Sequence, residues 1–111
     1  MASNKEIKRF DVYWATFDPA ISSEIQKTRP CIIVSPDIMN NVLNTVMVVP
    51  LTKTFIDWPF RLIMSIDGKQ SSAAFDQLRS VSKERLGKKV AVLEEKQQEH
   101  ILDTLQAIFV R

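Results

Sequence analysis

Thr45-Val46-Met47-Val48-Val49-Pro50-Leu51 is the stretch on which the fold turns. It is β-branched and apolar, which marks a central strand. Working outward, Cys31 to Ser35 is a second short apolar run and reads as a buried strand. Between the two, Pro36 to Asn41 fits one helical turn with Ser35 as its cap. Upstream, Phe10 to Phe17 alternates as a half-buried strand does, Asp18-Pro19 ends it, and a polar loop runs from Ala20 to Thr28. Downstream, Phe60 to Ile66 alternates around Arg61 and reaches Asp67-Gly68, a hairpin turn. Ala73 to Phe75 and Leu78 to Val81 read as two short strands about Asp76-Gln77, and Lys88 to Leu93 closes the β part. The two glycines, Gly68 and Gly87, both read as turns. From Glu94 to Val110 the period changes: Ile101, Leu102, Leu105, Ile108 and Phe109 recur at helical steps on one face. Glu94 and Glu95 suit the positive end of that helix. The fold class is therefore mainly β with a C-terminal helix, a small and highly curved sheet or barrel covered on one side.

A chain of 111 residues, 45% hydrophobic and 25% charged, fits one globular domain over residues 1–111. No apolar run approaches the roughly 20 residues of a membrane span, and Met1 to Arg9 lacks the apolar core of a signal peptide, so a cytoplasmic protein is expected. Cys31 is the one cysteine and lies in an apolar run, where a small buried hydrophobe is the expectation rather than a nucleophile. One histidine, His100, leaves almost nothing for a histidine-based metal site or a Ser-His couple. The net charge is only +2, but eight basic and four acidic side chains lie between Thr52 and Lys89. That middle segment could face phosphates, or be an ordinary solvated surface.

Four segments carry candidate chemistry. In Lys27-Thr28-Arg29-Pro30, Arg29 ends the polar loop, and Pro30 confines it to extended backbone just before a core strand. A planar fork of donors fixed there suits a phosphate; a loop arginine paired with Asp18 or Glu24 fits the same residues. In Val48-Val49-Pro50-Leu51-Thr52, the strand ends at Pro50 and the Thr52 hydroxyl sits just past its end. It could donate to a phosphate oxygen or satisfy a neighbouring backbone group. In Phe75-Asp76-Gln77-Leu78-Arg79, two polar residues form a tight corner or project into a site, or Asp76 pairs with Arg79 or Arg29. In the first strand Trp14 and Phe17 read as core, although an aromatic on a rim can stack on an unpaired base.

Taken in order, Asp11-Val12-Tyr13-Trp14, Phe17-Asp18-Pro19, Ser23-Glu24, Thr28-Arg29-Pro30, Val49-Pro50-Leu51-Thr52 and Asp76-Gln77-Leu78-Arg79 resemble the MazF/PemK/Kid toxins of bacterial toxin–antitoxin pairs, from about Phe10 to Ile108. The resemblance implies a compact SH3-like or CcdB-like β-barrel with a helical C-terminus, a homodimer, and metal-independent cleavage of single-stranded RNA with no cofactor. It also implies a cognate antitoxin whose acidic disordered tail folds onto the dimer. It assigns catalysis to Arg29 and Thr52, and substrate contacts to Phe17, Glu24, Thr28, Asp76 and Gln77. The chain departs from the family at Phe10, where members carry glycine, at Ser22 and Ser23 in the first loop, and at Ala74, where the Kid-like branch carries arginine. Two other readings share the barrel: a CcdB-like gyrase poison and an inactive RNA-binding SH3-like module.

Overall fold

The computed structural model describes residues 6–17 and 28–111. The expectations attached to Asp18, Pro19, Ser22, Ser23, Glu24 and Lys27 lie outside the described residues.

Seven strands run β1 (Asp11–Thr16), β2 (Thr28–Ile33), β3 (Thr45–Thr52), β4 (Arg61–Ile66), β5 (Lys69–Ala74), β6 (Arg79–Ser82) and β7 (Leu86–Val92). A short helix α1 (Asp37–Val42) follows β2, and the terminal helix α2 is Glu95–Phe109. The strands pair antiparallel in the order β4-β5-β3-β2-β1-β7, and β6 also pairs with β3. Strand β3 thus serves two partners along one edge: β6 against Thr45 to Val48 and β5 against Leu51 and Thr52. The mainly β architecture with a C-terminal helix is as expected.

Both faces of the sheet are buried, which is why β2 and β3 read as continuous apolar runs rather than alternating ones. On one face Val12, Ile32, Val49, Leu51, Met64, Ile66 and Ala73 pack with Ile101 of α2. On the other, Tyr13, Ala15, Phe17, Cys31, Ile33, Val46, Val48 and Val81 form a second cluster. Glu94 caps α2 with a reciprocal capping box through Gln97. Only part of the expected apolar stripe of α2 is covered: Ile101 is buried and Leu105 packs on the core, whereas Leu102 and Ile108 are exposed and Phe109 is 68% exposed.

The Asp67-Gly68 turn joins β4 to β5 with both residues at positive φ, 53° and 79°, as a two-residue hairpin requires. Gly87 is not a turn; it lies inside β7, beside Trp14. Trp14 itself is exposed rather than core. Ser35 is not a helix cap. Pro36 takes that position, and the buried Ser35 hydroxyl donates to Asn40 Oδ1 (2.5 Å) and accepts from the Met47 N–H (3.0 Å). The strand expected at Ala73 begins earlier, at Lys69, because Ser71 and Ser72 are buried within the hairpin. At the head of β1, Phe10 adopts φ 76°, a left-handed conformation uncommon for any residue but glycine. Its backbone is pinned there, donating to Ile33 O (2.7 Å) and accepting from the Leu93 N–H (3.0 Å).

Candidate active site

The β2–β3 ladder pairs Ile33 with Val48, Ile32 with Val49 and Cys31 with Pro50. Arg29 and Thr52 each lie two residues beyond the last pair of that ladder, Cys31 and Pro50, on neighbouring strands. Side chains alternate along a strand, and Arg29 and Thr52 share the parity of Cys31, Ile33 and Val48. Both therefore leave the sheet on the face of the second core cluster. Two boundaries differ from the sequence reading. Thr28, Arg29 and Pro30 are strand residues, paired with Thr16, Ala15 and Trp14 of β1, rather than the end of a loop. Thr52 is the last residue of β3, paired with Ser72 of β5, rather than a residue past the strand end. Both are consequently placed by a ladder, and both are half-buried.

The Thr52 Oγ1 accepts the Thr54 N–H at 3.1 Å, so it shapes the following turn, and its own hydrogen remains available to donate. Thr28 is exposed, its hydroxyl 3.3 Å from that of Thr16. Beside this pair opens a cleft of about 440 Å³, lined by Thr16, Ser82, Glu84, Arg85, Leu86 and Gly87.

Arg79 is a third member of the group that the sequence reading did not single out. It stands opposite Val48 in the β3–β6 ladder, so it shares the face of Arg29 and Thr52. Its alternation with Val81 was the signal that could have placed it there. The Arg79 guanidinium lies over the Phe17 ring, 4.7 Å from the centroid. Phe17 is only 9% exposed, so it is a core residue supporting Arg79 and not an open stacking surface. Burial pushes the Cys31 thiol up to about 12, against the opposing pull of the positive charges of Arg79 and Arg29. Cys31 is therefore a buried hydrophobe, as its setting in the sequence implies.

Asp76 and Gln77 lie in a 3-10 turn, Phe75–Gln77, between β5 and β6. The partner of Asp76 is neither Arg79 nor Arg29 but Arg61. Arg61 Nε donates to Oδ1 at 2.6 Å and Nη2 to Oδ2 at 2.9 Å. That bidentate hydrogen bonding, chiefly, holds the Asp76 carboxyl below its ordinary value, with a further contribution from Gln77 Nε2 at 3.4 Å. The Arg61 guanidinium also lies over the exposed Trp58 ring at 5.4 Å, and Trp58 packs against Phe60 at 5.1 Å. The sheet thus brings Arg29, Thr52 and Arg79 onto one face. It sets Asp76, Gln77 and Trp58 in a separate cluster organised by Arg61. Among the described residues, no group of three or more His, Cys, Asp or Glu side chains is arranged to hold a metal ion.

Residues 8–109 match the family described as PemK-like, MazF-like toxin of type II toxin-antitoxin system. The chain is 32% identical over 72 residues to the endoribonuclease toxin MazF of Escherichia coli (strain K12), a match covering 65% of each chain. It is 28% identical over 106 residues to endoribonuclease EndoA of Bacillus subtilis (strain 168), covering 90% of this chain and 91% of that one. In three dimensions it is similar to MazF from Deinococcus radiodurans, with TM-score 0.80 at 19% identity over 96% of this chain and 99% of that one. It is also similar to an endoribonuclease in complex with its cognate antitoxin from Mycobacterial species, with TM-score 0.76 at 21% identity over 91% and 92%. A curled antiparallel sheet closed by a C-terminal helix and a match spanning residues 8–109 lead to one assignment: the chain belongs to the family of PemK-like, MazF-like toxins of type II toxin–antitoxin systems.

Proposed function

We propose that the chain is the toxin of a type II toxin–antitoxin pair and an endoribonuclease that cuts single-stranded RNA. The observation that supports this most is that Arg29 and Thr52 share one face of the paired strands β2 and β3, each two residues beyond the last pair, Cys31 and Pro50. In the reaction, the 2′-oxygen of the RNA attacks the adjacent phosphorus and the P–O5′ bond breaks, leaving a 2′,3′-cyclic phosphate. The 2′-proton is lost and the 5′-oxygen is protonated, giving a 5′-hydroxyl. Negative charge gathers on the non-bridging oxygens, where a fixed guanidinium and a hydroxyl donor stabilise it. Arg79, on the same face, adds a second positive charge beside that of Arg29. Thr28, Asp76, Gln77 and Glu24 contact the flanking nucleotides. Asp76, with its carboxyl held down by Arg61, is a weak base at neutral pH, and an arginine offers almost none of the neutral form that could take a proton. Glu24 is the remaining carboxylate assigned to the site.

The partners follow from the same reading. Unpaired RNA is the substrate because its bases can be splayed out and read. A cognate antitoxin would bind through an acidic disordered tail, drawn to the basic middle of the chain. A second copy would cover apolar surface such as exposed Ile38 and Val42 on α1 or Phe109 on α2.

Incubating the chain with a long single-stranded RNA in EDTA tests the activity. Discrete fragments ending in cyclic phosphate are expected, with none when the cut site carries deoxyribose. Arg29→Ala and Thr52→Ala should melt near the parent temperature and cleave about 10²–10³-fold more slowly. Full activity in either variant refutes that assignment. RNA left intact together with trapped gyrase–DNA complexes would turn the reading to the gyrase poison.

A further inference from the structure

Thr52 has a cross-strand neighbour that the chemistry above leaves unused. Ser72 stands directly opposite it in the β3–β5 ladder, so the two side chains leave the sheet on one face with Cβ atoms about 4.5–5.5 Å apart. Ser72 is fully buried. Its Oγ is the one buried side-chain polar atom among the described residues that has no hydrogen-bond partner. The position lies in β5 between Ser71 and Ala73, both also buried. An alanine there would avoid burying a hydroxyl with nothing to bond, a state folded proteins rarely keep.

Thr52 has the complementary vacancy. A hydroxyl carries one hydrogen and two acceptor positions. The Thr54 N–H occupies one acceptor position. Donating to a phosphate oxygen would use the hydrogen, leaving the second acceptor position empty at the moment the hydroxyl must hold a fixed direction.

We infer that Ser72 is a positioning residue for Thr52, donating its hydroxyl hydrogen to Thr52 Oγ1 when Thr52 donates to the scissile phosphate. At that Cβ separation, hydroxyls turned toward each other can come within hydrogen-bond distance, and no covalent bond changes. The bond stops the Thr52 hydroxyl from rotating, and donation into an oxygen strengthens that oxygen's own donation. Because Ser72 is fully buried, it acts through Thr52 and not on the RNA. The inference rests on the assignment of Thr52 above.

Steady-state cleavage of a single-stranded RNA oligonucleotide, with thermal melts, is compared for the parent chain, Ser72→Ala, Thr52→Ala and the double variant. Ser72→Ala should lower kcat about tenfold, the worth of one ordinary hydrogen bond, with KM within about twofold of the parent. Its melting temperature should be unchanged or higher, since an unpartnered buried hydroxyl is gone. In the Thr52→Ala background, removing the Ser72 hydroxyl should change nothing further. An unchanged kcat in Ser72→Ala overturns the inference. So does a lowered melting temperature, which would mean the hydroxyl already has a partner in the resting fold. So does an equal loss in both backgrounds. An inactive parent chain or a fully active Thr52→Ala refutes the assignment of Thr52 and this inference with it; the other outcomes bear on Ser72 alone.

Discussion

The Arg61–Asp76 pair should behave as a structural strut and not as a surface ion pair. Exposed pairs contribute about 0–1 kcal/mol. Here two charge-assisted bonds of 2.6 and 2.9 Å run in parallel, each of a kind ordinarily contributing about 1.5–3 kcal/mol. The side chains are 9% and 28% exposed, so water can replace part of what Asp76 would lose and little of what Arg61 would lose. Discounting for that access gives a coupling energy of about 2 kcal/mol. The same asymmetry orders the single variants. Asp76→Ala strands two nearly buried donors and should cost about 3 kcal/mol. Arg61→Met keeps the aliphatic stem and leaves a carboxylate that water reaches, and should cost about 1–2 kcal/mol. For a chain of this size, 1 kcal/mol is about 4 °C in melting temperature. Urea denaturation of the parent, both singles and the double variant at pH 7 gives the coupling directly. The pH dependence follows from the lowered carboxyl of Asp76. The pair's contribution is fully present above the ordinary carboxyl value of 3.8 and is lost as pH falls below it, through the depressed folded value. A coupling below about 0.5 kcal/mol, or the reverse order of the two singles, would refute the reasoning.

Phe10→Gly should be more stable than Phe10→Ala by about 1–2 kcal/mol, reversing the usual preference, because only glycine accepts φ 76° without strain; thermal melts of the two variants decide it. Ser35→Ala should cost about 2–4 kcal/mol in urea titration, since it leaves the buried Asn40 Oδ1 and the Met47 N–H without their hydroxyl partner; a loss below about 1 kcal/mol counts against it. Trp58→Ala should weaken binding of a cut-site deoxyribose oligonucleotide by about 5- to 100-fold, the worth of one stacked base, with little change in melting temperature because the ring is exposed. Unchanged affinity in a fluorescence-anisotropy titration would show that no base stacks on Trp58.

Elements whose pattern is set by burial were legible in the sequence. The apolar runs around Ile32 and Val48 read correctly because both faces of the sheet are covered. Asp67-Gly68 read correctly because few residue pairs adopt two successive positive φ values. What local pattern could not carry was cross-strand neighbourhood. Arg29 read as a loop residue because its neighbours are polar, yet pairing with Ala15 makes it strand. Asp76 chose Arg61, fifteen positions away, over the nearer Arg79, because the hairpin brings Arg61 opposite Ala74, at the edge of the turn. Phe17 read as core with a rim position as the alternative, and its burial, at 9% exposure with the Arg79 guanidinium over its ring, places it in the core. The departure at Phe10 was visible in the sequence, but its meaning, a side chain carried on a left-handed backbone, was not.

The β2–β3 ladder has a kinetic consequence. With it closed, Arg29 and Thr52 stand on adjacent strands, each two residues beyond the paired Cys31 and Pro50. With it open, the same two residues are joined by a flexible tether of 23 steps (52 minus 29), whose root-mean-square span is about 26 Å. A chain that lacks this pairing seldom presents both groups to one target. On the proposed assignment of Arg29 and Thr52, activity is therefore tied to the closing of this ladder, and a chain in which the centre of the domain has not yet paired should not cleave RNA.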